Sequence, residues 1–161
     1  MSDAEEAALE RLQILGETIV AGVERSLPAW VVAQVRRVVD AWGQLDATER
    51  AQVETAAREA GDAACTRVTS ELCALMARDP AQQRATPLEI VRTATQEPTV
   101  VLHAAGIPGV VRDGFEARAF PEDLYGLVPN TMGDLGDETL APLHLAWGLA
   151  KAAVLRARST D

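Results

Sequence analysis

The chain has 161 residues, of which 48% are hydrophobic, 24% charged and 4% aromatic, and its net charge at pH 7 is −9. This length and composition predict one globular domain that buries a core without needing disulfides or metal. The acidic balance argues against a protein that binds nucleic-acid phosphates, and the few aromatic residues argue against a base-stacking surface. No apolar run reaches the roughly 20 residues of a membrane span.

The N-terminus and the cysteines predict a cytoplasmic protein. Residues 1–6 are acidic, whereas a secretory signal begins with basic residues. Cys65 and Cys73 are the only cysteines, and eight residues along one helix separate their Cα atoms by about 12 Å. A disulfide needs less than about 7 Å, so both thiols are predicted to be reduced. Fourteen of the 15 basic residues are arginine, which is typical of GC-rich bacterial genomes such as those of actinobacteria.

The first half of the chain shows the apolar spacing of amphipathic helices. One helix is predicted over residues 4–25, and Ser26-Leu27-Pro28 is predicted to interrupt it, with Pro28 beginning a second helix over 28–45. The apolar stripe of this second helix comprises Val31, Val35, Val38, Trp42 and Leu45. Val32 and Val39 widen the stripe beyond what a small bundle needs.

Start and stop signals divide the middle of the chain. Asp46 and Glu49 have the spacing of a capping box, and the helix that follows is predicted to reach Arg78, as one helix or as two separated at Gly61-Asp62. Thr86-Pro87 predicts another helix start. Pro98 predicts a kink, or two short helices meeting at Glu97-Pro98.

Residues 106–138 differ in composition from the rest. They hold six of the 11 glycines and three of the eight prolines, and residues 113–140 carry seven acidic residues against one arginine. Their many apolar residues predict an ordered segment rather than a linker. A last helix is predicted from residue 137 or 141 to about 158. The sequence therefore predicts an all-α, single-domain bundle of five to six helices over residues 1–161, with this ordered acidic Gly/Pro-rich segment before the C-terminal helix.

Chemistry-bearing residues are sparse, and none is assigned a catalytic, metal or cofactor role, so enzymatic activity is left open. The only histidines, His103 and His144, lack the short spacing of a metal motif. Gly133–Glu138 is better explained by two turns and a helix N-cap than by a cation site. Gly106-Ile107-Pro108-Gly109 follows a predicted helix, so it favours a C-cap over a phosphate loop.

Three functional hypotheses follow. The leading one is a non-enzymatic protein-interaction module that self-associates as a homodimer through the wide apolar face of helix 28–45. The alternative is a small-ligand or metal site under residues 106–138, in a binding protein or an enzyme. Its candidate groups are His103, His144, Tyr125, Asp134, Asp137 and Glu138. The third is an acidic partner of a basic protein or of an RNA-binding assembly, because residues 1–24 have a net charge of −5.

Overall fold

The computed structural model describes residues 1–120, 123–127 and 131–160, and no strand occurs among them. The six α-helices of these residues are α1 (Asp3–Trp42), α2 (Ala47–Ala77), α3 (Pro87–Arg92), α4 (Glu97–Ala104), α5 (Gly114–Ala119) and α6 (Leu140–Thr160). Two 3₁₀ turns lie at Pro80–Gln82 and Met132–Leu135. The predicted all-α bundle is confirmed. Among the described helices, none combines the length and apolar character that crossing a bilayer requires.

Helix α1 passes through Pro28 without a break, so the predicted interruption at residues 26–28 is wrong. The apolar face stays in register across the proline, and its members there, Ile19, Val23, Leu27 and Val31, are fully buried. A proline inside a helix costs about 3 kcal/mol. Burial of several large side chains, at about 1.5–3 kcal/mol each, offsets that cost. The helix ends at Trp42, three residues before the predicted Leu45, because Gly43 adopts a φ of +67°.

Helix α2 is one helix, and it lies antiparallel to α1. The capping box of Asp46 and Glu49 is present as predicted, and the helix continues through Gly61 to Ala77. Gly61 lies against the backbone of Pro28: a Cβ atom there would be 3.0 Å from the carbonyl oxygen of Pro28. The missing side chain therefore lets the two longest helices approach closely.

The apolar core has two clusters, one along each half of α1. The first joins the N-terminal half of α1 to the C-terminal half of α2, to α3 and to α6. The second joins the other halves of α1 and α2 to α4 and to residues 107–127. Val35 and Val39 belong to this second cluster and are only 1% and 3% exposed, while Val32, Val38 and Trp42 pack against it. The wide apolar stripe of residues 28–45 is thus largely used inside the chain, and self-association through it stays a prediction.

The helix signals of the third quarter of the chain are confirmed. Thr86 and Glu89 form a capping box with Pro87 in the first turn of α3. Helix α4 begins at Glu97, directly before Pro98, so two short helices are present. Gly106 ends α4 with a φ of +75°. Its amide donates to the His103 carbonyl and the amide of Ile107 donates to the Leu102 carbonyl, which is the Schellman arrangement of a helix C-terminus.

The described parts of residues 106–138 contribute to both core clusters: Ile107, Tyr125 and Leu127 belong to the second, and Met132 and Leu135 belong to the first. Arg112 forms a largely buried ion pair with Asp123, with a nitrogen–oxygen distance of 3.2 Å. The hydroxyl of Tyr125 donates to the carbonyl of Ile107 over 2.5 Å, and burial raises the pKa of Tyr125. Residues 121, 122 and 128–130, whose two prolines, one acid and one valine entered the prediction for this segment, lie outside the described residues.

Asp137 connects the start of α6 to α1. Its carboxylate accepts hydrogen bonds from the Thr139 hydroxyl at 2.6 Å and the Ser26 hydroxyl at 3.2 Å, and it forms an ion pair with Arg25. The bonds from Thr139 and from Arg25 hold the pKa of Asp137 well below its ordinary value. The structural interpretation of Gly133–Glu138 therefore accounts for this acid.

Asp137→Asn is expected to lower the free energy of unfolding at pH 7, and the difference from the wild type should disappear in acid. Because the folded pKa lies below the unfolded value of about 3.9, the stabilisation is fully present above that value. It is lost as pH falls through the folded pKa. Urea denaturation between pH 2 and 7 measures the difference, with the exposed Glu10→Gln as a control. A difference in the free energy of unfolding between variant and wild type that stays constant down to pH 2 would contradict this prediction.

Candidate functional site

The two histidines have different surroundings. His103 is exposed near the end of α4, beside a shallow depression lined by residues 106–110 and Leu124. His144 is half-buried on α6 close to Glu89 and Arg92 of α3, and burial lowers its pKa. Its Nδ1 atom is buried without a hydrogen-bond partner. In the described part of the chain, no contact joins His103 to His144.

The remaining candidates of the alternative site have structural roles or are exposed. Tyr125 and Asp137 make the contacts described above, and Asp134 accepts a hydrogen bond from the Thr131 amide at 2.7 Å in a capping box. Glu138 is exposed. Within residues 1–120, 123–127 and 131–160, no three histidine, cysteine or acidic side chains are grouped as a metal site requires. These described residues therefore do not group as a metal site, and the small-ligand site considered from the sequence stays a prediction.

A concave surface of about 600 Å³ forms a groove between α1 and the C-terminal end of α2. We call it the α1/α2 groove. Its wall from α1 consists of Leu9, Leu12, Gln13, Gly16, Glu17, Val20, Ala21 and Glu24, and its opposite wall consists of Cys73, Met76, Ala77, Arg78, Pro80 and Gln83. The groove is mainly apolar at its base and polar at its edges.

Gly16 of α1 and Met76 of α2 meet at the base of the groove. Gly16 has no side chain, and a Cβ atom there would lie 2.8 Å from the sulfur of Met76. The indole nitrogen of Trp147 donates to that sulfur from behind, over 3.2 Å. Met76 is half-buried, and a methionine at such a surface adapts its shape to an apolar partner.

Charge is distributed unevenly along the groove. Glu17 and Glu24 are exposed on the α1 edge, and Arg78 lies at the far end beside Pro80. Because α1 and α2 are antiparallel, Arg78 is near the Leu9 end and Glu24 is at the opposite end. The whole stretch 1–24 has six acidic residues and one arginine. The groove therefore favours a partner whose positive charge lies toward the Glu24 end.

Gln83 closes the Leu9 end of the groove. It is 6% exposed, and its side-chain amide nitrogen donates to the carbonyls of Leu75 and Arg78, 3.2 Å away in each case. Lys151 of α6 in turn donates to the Gln83 carbonyl over 2.9 Å. These bonds satisfy carbonyls at the end of α2, as a helix C-terminus requires, and they hold this wall in place.

The two cysteines differ in a way that is useful for experiments. Cys73 is an exposed free thiol on the groove wall, and Cys65 is a half-buried free thiol outside the groove. Burial, together with the charges of Glu24 and Asp62, raises the pKa of the Cys65 thiol. Since the thiolate is the reactive form, alkylation at neutral pH should report mainly on Cys73 and thus on occupancy of the groove.

An apolar ridge runs along the outer face of α6. Leu145 and Leu149 are 66% and 61% exposed, opposite the core-facing Trp147 and Val154. The residues that share this outer face at helical spacing are Pro142, Leu145, Leu149, Ala152 and Arg156. We call this set the α6 ridge. It is an apolar helix face that nothing in the described chain covers.

A second exposed apolar patch lies around α5. Val111, Phe115 and Phe120 are 97%, 72% and 47% exposed, and α5 itself buries no residue. Asp113 and Glu116 accompany these side chains, so the patch is bordered by acids. The patch is a third surface where apolar groups meet solvent.

No protein-family model, curated protein or solved structure matches this chain. The functional argument therefore depends on the surfaces themselves. Neither the groove nor the ridge was identified from the sequence. The ridge had a readable signal, since Leu145 and Leu149 fall opposite the predicted inner face of the last helix, whereas the groove had none beyond the small residues Gly16 and Ala21.

Proposed function

We propose that this protein is a non-enzymatic, cytoplasmic protein-interaction module whose α1/α2 groove binds the apolar face of a basic amphipathic helix. One observation carries the proposal: the α1/α2 groove combines an apolar base with an acidic edge on an exposed pair of helices. A groove of this kind is a recurring way to bind helices.

The length of the groove fits a helix. Leu9 and Glu24 are 15 residues apart on α1, which corresponds to about 22 Å, or four helical turns. A bound helix of that length presents apolar residues at positions i, i+3 or i+4, i+7 and i+11 on one face. Met76, whose side chain lies over Gly16 at the base of the groove, adapts to the side chains that the bound helix brings.

The charge of the groove selects the partner. Glu17 and Glu24 lie at the edge, where they remain solvated and attract lysine or arginine without being buried. Exposed pairs of this kind contribute about 0.2–1 kcal/mol each, and they raise the association rate when the surrounding field is negative. An acidic helix with the same apolar face is repelled by the net charge of −5 on residues 1–24.

A pair of designed helical peptides tests this proposal. Both have 15 residues with leucine at the face positions, and the other positions are lysine in one peptide and glutamate in the other. We expect the lysine peptide to bind and to slow alkylation of Cys73 but not of Cys65. The double variant Glu17→Lys/Glu24→Lys should weaken binding about tenfold, which corresponds to 1.4 kcal/mol. Increasing salt should weaken it further.

The matched control is Glu10→Lys, which makes one such charge reversal on α1 outside the groove lining, against two in the double variant. It should leave the affinity within about twofold of the wild type, because the Debye length near 0.15 M salt is about 8 Å. Binding without protection of Cys73 would place the peptide elsewhere and overturn the proposal. Equal binding of both peptides, or binding of neither, would overturn it as well.

A further inference from the structure

Resting on the proposed function, we infer that the helix bound in the α1/α2 groove is α6 of a second copy of this chain. Each copy then offers two different surfaces, the α1/α2 groove and the α6 ridge. The ridge of one copy packs into the groove of the next.

The α6 ridge has the spacing that the groove requires. Leu149 is four residues after Leu145, Ala152 is three residues after Leu149, and Arg156 is four residues after Ala152. This is the i, i+4, i+7, i+11 pattern of a helix that lies in a groove. Both leucines are more than half exposed, so the ridge can dock without any part of the bundle opening.

The positions of apolar and charged groups correspond between the two surfaces. Leu145 and Arg156 are 11 residues apart, or about 16 Å along the helix. Leu12 and Glu24 of the groove are 12 residues apart, or about 18 Å. When Arg156 lies beside Glu24, the two leucines therefore lie over the apolar base near Leu12 and Gly16.

Charge complementarity supports the same arrangement. The described helix α6 has no acidic residue and three basic ones. Lys151 and Arg158 already contact Gln83, Glu5 and Asp79 of their own chain, so Arg156 is the cation that the ridge presents to a partner. The groove faces it with the acid-rich first half of α1. The patch around Phe115 is a poorer occupant, because Asp113 and Glu116 beside it would meet Glu17 and Glu24. Like charges at such a contact oppose binding.

The contact is heterologous, since no residue of α6 lines the groove. A copy bound through its ridge still has an open groove, so association continues head to tail unless a ring closes. A single helix in a shallow groove buries less area than a permanent dimer. We therefore expect reversible, concentration-dependent oligomers rather than one fixed dimer.

Two single variants give a decisive test by sedimentation velocity. Leu149→Glu disables the ridge, and Ala21→Arg places a long cation in the groove opposite Arg156. Because both positions are exposed, the circular dichroism spectra of the two variants should match that of the wild type. At concentrations where the wild type associates, each variant alone should be monomeric. The dissociation constant for self-association of each variant should be at least tenfold higher than that of the wild type. Mixed in equal amounts, they should form a heterodimer and nothing larger, because one intact ridge and one intact groove remain.

Ile14→Glu is the matched control. Ile14 is 55% exposed on α1 and does not line the groove, so this variant should associate like the wild type. A mixture of the two disabled variants that stays monomeric would overturn the inference, as would a wild type that is monomeric up to millimolar concentration. If that monomer still binds the lysine peptide in the groove, the proposed function stands without self-association. If it does not, both fall.

Discussion

Replacing Val35 with aspartate is expected to unfold the chain. Val35 is 1% exposed and packs with Val39, Val53 and Leu102 in the second core cluster. A carboxylate there has no partner and is buried among apolar groups, which costs several kcal/mol. The whole stability of a domain is about 5–15 kcal/mol, so we expect loss of the cooperative thermal transition and of most helical circular dichroism.

Val38→Asp is the appropriate comparison, because Val38 is only half-buried beside the same cluster. This variant should remain folded, with a loss of about 1–2 kcal/mol. If Val35→Asp were instead a folded monomer derived from a wild-type oligomer, residues 28–45 would form the self-association surface predicted from the sequence. A folded, monomeric Val35→Asp variant would then be incompatible with the buried position of Val35.

Two glycine substitutions in helices are expected to change stability in opposite directions. Gly61→Val should lower the free energy of unfolding by about 3 kcal/mol, because even its Cβ atom would lie 3.0 Å from the carbonyl oxygen of Pro28 and 3.2 Å from its Cα atom. Neither backbone atom moves aside as a flexible side chain does. Gly148→Ala should raise it by about 0.5–1 kcal/mol, because Gly148 is helical with no atom within 4 Å of its added Cβ.

Urea denaturation of the two variants and the wild type measures both effects under one condition. The opposite signs separate close helix packing from intrinsic helix propensity, since propensity alone favours replacing either glycine. A Gly61→Val protein as stable as the wild type would mean that α1 and α2 are farther apart at Pro28 than the structure places them.

The sequence predicted those features that depend on a few neighbouring residues. Capping at Asp46 and Thr86, the end of α4 at Gly106 and the division before Pro98 are all local, and all are confirmed. The proline signal at residue 28 failed because the two apolar stripes on either side share one face. Packing along that face outweighs the local preference for a break, and no short window of sequence contains that information.

The surfaces were harder to predict because they depend on distant residues. The groove joins Gly16 to Met76 and Cys73, about 60 residues later, and its depth depends on how closely two helices approach. The apolar excess on residues 28–45 was interpreted as an interface because its actual partners, α4 and residues 107–127, could not be placed beforehand. The histidines and acids of the alternative site are near or within one segment in sequence, yet His144 lies beside α3 and Asp137 bonds to α1.

The unbroken passage of α1 through Pro28 leaves one gap in the hydrogen-bond ladder of the helix. Proline has no amide hydrogen, so the carbonyl four residues earlier, that of Glu24, lacks its helical donor. The backbone of Pro28 lies directly against Gly61 of α2, and Leu27 and Val31 on either side of it are fully buried. Tertiary packing thus holds α1 together at the point where its own hydrogen bonding is weakest.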